Sequence, residues 1–441
     1  MTGRRSTNVF DGVCASGEAI HALASRLYPI NRSITGDGVR RTLDMLGEHV
    51  PLERHEVPSG TKVLDWIVPP EWNLYEAYIA TSDGRRVVDV ADHALHVVGY
   101  STPVRERMSL AQLRPHLHAL PKQPDLIPYK TSYYTPAWGF CLAQKVLDGL
   151  REDSYEVVID ATLGPASLTY GEYLHKGRGD AEVLLSAHMC HPSLANDNCS
   201  GVAVLALLAA AMQGRETRLS YRFLFAPGTI GAITWLARNR AQVGRIEHGL
   251  IVSNIGDGGG PTYKRSRRGN AAVDRAAAHV LGQSWASHAL RDFSPYGYDE
   301  RQYCSPGFDL PVGSLQRSAW GEFPEYHTSA DNLDFIQPQH LEGSFRLIVA
   351  ILDVLEHNEV LVNSAPFGEP QLGPRGLLEP QDGMPLLEND RMAYLWVLNL
   401  CDGSRDLLAV AERSGLAFAA IVRAATRLRA VGLVAPIAVR P

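Results

Sequence analysis

The sequence predicts an α/β protein built in several parts, and three observations predict it. Residues 139–357 alternate short apolar runs with longer helical stretches, the pattern of a three-layer α/β/α sheet with right-handed crossovers where strands run parallel. Residues 57–125 interrupt that order with brief β-rich runs separated by Pro-Pro and Asp-Gly, which reads as an inserted β subdomain. Residues 361–389 hold Pro366, Pro370, Pro374 and Pro380 among glycines and read as a linker, leaving 390–441 as a separate small module. The main α/β domain is then expected to span 1–56 and 126–360.

Composition bounds the function. A chain of 441 residues has room for two or three domains. With 45% hydrophobic and 20% charged residues it is of ordinary globular type. A net charge of -6 provides no basic field for nucleic acid. The longest apolar stretch, 202–212, falls short of a membrane span, and the first residues lack the apolar core of a signal peptide. Six cysteines at 14, 141, 190, 199, 304 and 401 form no framework, so free thiols in a reducing cytoplasm are expected. No membrane partner is expected; a homo-oligomer remains open.

Taken in order, Leu23, Leu27 and Ile30 make one helical stripe and Val39, Leu43 and Leu46 another, separated by the polar turn 31–36. Arg32 in that turn reads as a surface arginine, although it could reach a ligand. Strands are expected near 63–68, 75–80, 86–90 and 95–98, with Asp83-Gly84 as a hairpin turn. Residues 121–138 combine four prolines with Tyr129, Tyr133, Tyr134 and Trp138, and read as a packed, irregular return whose aromatics could line a pocket. Residues 139–150 read as helix, and 155–161 and 166–173 as strands. The alternation continues with strand 221–226, helix 233–240, strand 249–255, helix 271–281, a strand from Val312 and the helix 341–357. In the last module three short helices and Gly432-Leu433-Val434 suggest a winged helix. Its Arg423, Arg427 and Arg429 come without a lysine, which favours docking or dimer contact over phosphate binding.

The chemistry concentrates after the run Val183–Leu185. That run leads into His188, Cys190 and His191, a Pro192 turn, Asn196-Asp197-Asn198, and Ser200-Gly201 before an apolar helix. In a parallel α/β sheet the loops beyond the C-terminal strand ends are where sites are built. Histidine and aspartate suit a catalytic zinc, which takes three protein ligands and leaves one position for water. Asp197 and Ser200 could equally cap the following helix. Cys190 and Cys199 could supply thiolates, but no Cys-x-x-Cys spacing supports that. A third ligand appears far along the chain at His327, with Asp331 as a carboxylate able to support it. The expected set is His188, Asp197 and His327 around one Zn2+.

Together with Tyr298-Asp299 and Tyr326-His327, these residues resemble the M28 zinc peptidases. More closely, the chain resembles the aminopeptidase-like proteins grouped as DUF4910, whose inserted β subdomain is DUF2172; the DUF2172-like stretch runs from Pro58 to Ser101. The block from Gly297 to Gly307, including Asp299, Glu300 and Arg301, carries the same resemblance. It implies an amide- or peptide-bond hydrolase fold of the phosphorylase/hydrolase-like type, with His188, Asp197 and His327 on the metal. Cys190, His191, Asp299, Glu300, Arg301, Tyr326 and Asp331 are then expected around the metal or against the substrate. The chain departs from the family where it matters most. M28 enzymes place two glutamates after the strand ending Phe225-Ala226-Pro227, the first as general base and the second on a second zinc. Here Gly228 and Thr229 stand there. The M28 aspartate near 253 is replaced by Ser253-Asn254, and Cys190 stands where an aspartate supports the first histidine. Losing a general base costs roughly 10²–10⁴ in rate. The expectation is therefore a single-zinc hydrolase acting on a peptide or aminoacyl-amide small substrate, with Glu325 as surrogate base and Asp257 behind it. The alternative is a catalytically altered relative that binds a peptide, a metabolite or a partner protein.

Overall fold

The computed structural model describes residues 9–379 and 388–437. Two compact units emerge, Met1–Asp274 with Ser287–Leu347, and Arg275–Ala286 with Ile348–Pro441.

The first unit is organised by an eight-stranded sheet. Across it run Glu53–Pro58, Ser167–His175, Ser220–Ala226, Glu182–His188, Ile246–Val252, Val312–Gln316, Thr262–Lys264 and Ala289–Arg291. The four central strands, from Ser220–Ala226 to Val312–Gln316, are parallel. Antiparallel pairings flank them on both sides. Glu182–His188 and Ser220–Ala226 are buried at every position, as strands covered on both faces must be. Arg222 lies inside one of them because Glu172 and Glu182 each meet its guanidinium at 2.7 Å, and a buried charge needs such partners. Helices complete the layers. Gly17–Leu27 begins at Ser16, whose hydroxyl accepts from the Ala19 amide, and it buries Leu23 and Leu27. Asp37–Gly47 buries Val39, Leu43 and Leu46, the second expected stripe. By length and hydropathy, Ala195–Met212 is the one described segment able to cross a membrane, yet 83% of it is buried within the protein, as in a core helix.

The inserted sheet has the order Arg86–Asp89, Glu71–Ala80, Ser154–Gly164, Val104–Ser109. Ser154–Gly164 corrects the sequence reading, which gave 155–161 to the alternation of the main sheet. Its alternately buried Tyr155, Val157, Ile159 and Ala161 suit an antiparallel sheet with one core face, and it pairs with strands on both sides. Residues 139–150 are likewise not one helix. Phe140–Cys141 is buried strand paired with Leu117–His118, and only Gln144–Asp148 is helical. The Asp83-Gly84 turn forms as expected, with Gly84 at φ 86°.

The second unit has a three-stranded sheet, Asp402–Asp406, Val360–Asn363, Val434–Pro436, with helices Glu388–Leu400, Leu407–Ser414 and Phe418–Ala430. This is a winged-helix arrangement. Its central strand begins at Val360, so the start of the stretch read as linker belongs to the module; Pro380 lies outside the described residues. The module's own groups engage its arginines. Arg423 faces Asp390 at 3.7 Å, Arg427 lies over the Tyr394 ring at 5.1 Å, and Arg429 pairs with Glu359.

His248 on the strand Ile246–Val252 yields a stability prediction. Burial, with Arg218 adding to it, pushes its imidazole down to about 4. The unfolded chain takes up that proton near pH 6.5 and the folded chain only near 4. Stability is therefore present above 6.5 and lost as pH falls toward 4. His248→Gln is expected to shrink the loss between pH 7.5 and pH 5 by about 2 kcal/mol, read from urea midpoints at both values.

Candidate metal centre

Three parallel strands, Ser220–Ala226, Glu182–His188 and Ile246–Val252, end side by side. The loops that leave them therefore converge. His188 is the last residue of the middle strand. Asp197 follows in the turn Ala195–Ser200, every residue of which is buried. The capping alternative is resolved by its neighbour. Asn198 Oδ1 accepts from the Gly201 amide at 3.0 Å, while Asn198 Nδ2 donates to the Val252 carbonyl at 3.0 Å. The Asp197 carboxylate is thereby free to face the histidines.

It lies between two of them. His188 Nε2 is 2.8 Å from Asp197 Oδ1, and His327 Nε2 is 3.0 Å from Oδ2. The three residues expected to share a metal, spread over 140 positions, do meet. His191, expected only around the site, joins the cluster itself. Its Nδ1 is 3.1 Å from His188 Nε2 and 3.7 Å from Asp197 Oδ1. His188, His191 and Asp197 each offer one donor atom, all within 4.8 Å of one another. Burial raises the Asp197 pKa, but the surrounding imidazoles, through the proximity of His191 and the hydrogen bonds from His188 and His327, outweigh it and hold the carboxyl well below its usual range. Burial pushes His191 down to about 3, which leaves a neutral ring with a free lone pair.

Asp331 has a different job from the one expected. Rather than support His327, its carboxylate accepts from the amides of Asn196 at 2.5 Å and Asp197 at 3.0 Å, so it fixes the backbone that carries Asp197. Burial lifts it to about 8, with Asp197's charge adding to the rise. Arg32 also departs from expectation. It is buried at 4% exposure and donates to the carbonyls of Leu27 and His191 and to Cys199 Sγ. Burial pushes the Cys190 thiol up to about 12 and raises Cys199 as well.

Aromatic rings wall the cluster. Tyr298 stacks on His188 with centroids 4.8 Å apart, and its hydroxyl donates to Asp197 Oδ1 at 3.0 Å. Tyr326 stacks on His327 at 3.9 Å. Tyr129 stands edge-on to both His191 and His327 at 4.9 Å, and its amide donates to the His327 carbonyl at 2.8 Å. The proline- and tyrosine-rich return segment thus clasps the His327 loop. Only its composition could have signalled that.

Several expected residues serve elsewhere. Glu300 is a buried partner of Lys264 at 2.9 Å. Arg301 lies near the Tyr296 ring. Asp257, the reserve base, accepts from Asn196 Nδ2, Ser318 and the Gly259 amide. Among the described residues, no hydrogen bond or ion pair joins the Glu325 carboxylate to His188, Asp197 or His327; its main-chain carbonyl accepts from Thr328. Gly228 sits where the base was missed. A side chain there would begin 3.4 Å from Cys190 Sγ and 3.7 Å from His188 Cβ, so the position borders the cluster.

The donors suit a zinc-type ion, since imidazole nitrogens and a carboxylate are its usual ligands. The surroundings are less complete. His188 Nδ1 is buried without a partner, where a metal histidine usually donates to a carboxylate or carbonyl.

A mixed sheet with a His–Asp–His cluster at its parallel strand ends, joined to a winged helix, defines an aminopeptidase-like α/β protein. The model of the domain of unknown function DUF4910 matches residues 21–358, and the chain belongs to that family. A winged helix-turn-helix model matches residues 343–436. A Clostridium acetobutylicum protein described as "Putative polysaccharide biosynthesis protein with aminopeptidase-like domain" is 47% identical over 418 residues, covering 95% of this chain and 96% of that protein. The crystal structure of a "putative peptidase" from Clostridium acetobutylicum superposes with a TM-score of 0.91 at 46% identity, over 96% of both chains. The zinc aminopeptidase BSAP from Bacillus subtilis shares the fold, with a TM-score of 0.56 at 12% identity over 76% of this chain and 94% of its own.

Proposed function

We propose that this protein is a zinc-dependent, aminopeptidase-type hydrolase that cleaves an amide bond in a small, specialised substrate. The observation that carries this is the single buried carboxylate of Asp197 shared between His188 and His327. A zinc ion held by His188, Asp197 and His327, with His191 beside them, would lower the pKa of its water and polarise the scissile carbonyl. The Tyr298 hydroxyl orients the Asp197 carboxylate, Asp331 fixes its backbone, and Tyr129 and Tyr326 hold the imidazoles and exclude bulk water. The relative's description, which couples polysaccharide biosynthesis to an aminopeptidase-like domain, supports a biosynthetic amide in preference to bulk peptides. Six free cysteines support a reducing, cytoplasmic setting.

Gly228 favours a second reading, in which the protein keeps the cleft and the metal but binds a peptide, a metabolite or a partner protein without turnover. Metal analysis and an assay separate the two. Under the hydrolase reading, purified protein carries close to one zinc per chain, His188→Ala loses it, and aminoacyl amides are cleaved unless a chelator is present. Zinc bound at that stoichiometry with no cleavage of any aminoacyl amide would favour the binding reading. Zinc content indifferent to His188→Ala would remove the metal centre from both.

A further inference from the structure

The loop holding Gly228 has a carboxylate after all, delivered from another part of the chain. Asp299 follows Tyr298, whose ring lies on His188, and is 4% exposed. Its Oδ1 accepts from the Thr229 amide at 2.6 Å, directly after Gly228. Thr229 has φ 59°, the left-handed region that a β-branched residue rarely enters, so this amide is turned toward Asp299 at a local cost. The M28 resemblance places a glutamate at the position of Gly228. Here that position has no side chain, and Asp299 holds the amide that directly follows it.

We propose that Asp299 is the general base of this site, a carboxylate supplied from the Gly297–Gly307 loop to replace the one absent at Gly228. This rests on the hydrolase reading above. In the step it performs, Asp299 takes a proton from the attacking water as the water oxygen bonds to the carbonyl carbon. As the C–N bond breaks, it returns that proton to the departing amine, so no other reactant is needed. Burial also raises the acid to about 6, against the opposing pull of His188, and a base serves best when its pKa lies near the working pH. Glu325 and Asp257 have no comparable placement: among the described residues no hydrogen bond joins the Glu325 carboxylate to the Gly228–Thr229 turn, and Asp257 is already satisfied by Asn196, Ser318 and Gly259.

Asp299 could instead serve only to hold the strained Thr229 turn, and asparagine distinguishes the two roles. Its Oδ1 still accepts from the Thr229 amide, but it takes no proton. Zinc-loaded full-length wild type and Asp299→Asn are compared on the p-nitroanilides of alanine, leucine and glutamate. Expected for Asp299→Asn is a fall in kcat of about 10²–10⁴, with KM, zinc content and melting temperature unchanged and the acid limb of the pH profile gone. Glu325→Gln should stay within about threefold of wild type on the same measure. Should Asp299→Asn fold poorly, Asp299→Ala assayed with added formate provides the second measurement, and partial recovery of kcat is expected. Wild-type kcat in Asp299→Asn, or a loss matched by lost zinc, overturns the assignment of the base alone. No cleavage by the zinc-loaded wild type overturns the hydrolase reading and the base together.

Discussion

Under the proposed zinc-hydrolase reading, Asp197→Asn is expected to abolish metal binding and, with it, turnover. The carboxylate is fully buried, with Oδ1 facing His188 and, at 3.7 Å, His191, and Oδ2 facing His327. Asparagine keeps the shape but presents an amide NH2 to one of two histidines that need an acceptor or a metal. Losing a residue that merely orients a ligand costs about 10–100-fold in metal affinity. Losing the ligand between two histidines should exceed that, and hydrolysis should fall by about 10³-fold or more, as when a central catalytic group is removed. Isothermal titration with zinc and the p-nitroanilide assay read the two effects separately. A variant that binds zinc within threefold of wild type would show that the histidines alone hold the ion.

Gly201→Ala should produce the largest loss of stability from the smallest change. A methyl group at 201 would lie 2.4 Å from the Val252 carbonyl oxygen and 2.4 Å from Asn198 Oδ1. Neither can retreat freely. Val252 ends a central parallel strand, and Asn198 is held by the Gly201 amide and the Val252 carbonyl. The start of the core helix must move off the sheet, at about 1–3 kcal/mol for overpacking, with the loss of the Asn198 bonds adding to it. Because Asn198 adjoins Asp197, zinc affinity should fall along with stability. Urea denaturation of the chelated protein isolates the first effect, and a denaturation midpoint equal to wild type would refute the close approach.

Much of this protein was legible before folding was considered. The apolar stripes of the first two helices, the buried central strands, the inserted β subdomain and the winged-helix module all follow from periodicity and punctuation. That His188, Asp197 and His327 would come together was also legible, because residue type, position after a strand and a shared family pattern coincide. Strand partnership was not. Ser154–Gly164 looks in isolation like any strand of the main alternation, and only the neighbours it finds assign it to the inserted sheet. Arg32 read as a surface residue because local sequence does not reveal that the carbonyls of Leu27 and His191, the latter 159 residues away, wait for its guanidinium.

The sequence by itself determined the class of fold and the chemical types of the candidate donors, since hydrophobic period and donor identity are properties of single residues and short runs. Only the tertiary structure decided what each polar group does. His191 joined His188 and Asp197, Asp331 turned to the backbone beneath Asp197, and Asp299 reached the amide next to Gly228. Each of these assignments depends on distances between segments far apart in the chain. A buried polar group takes whichever partner packing brings within about 3 Å, and it cannot be left without one cheaply.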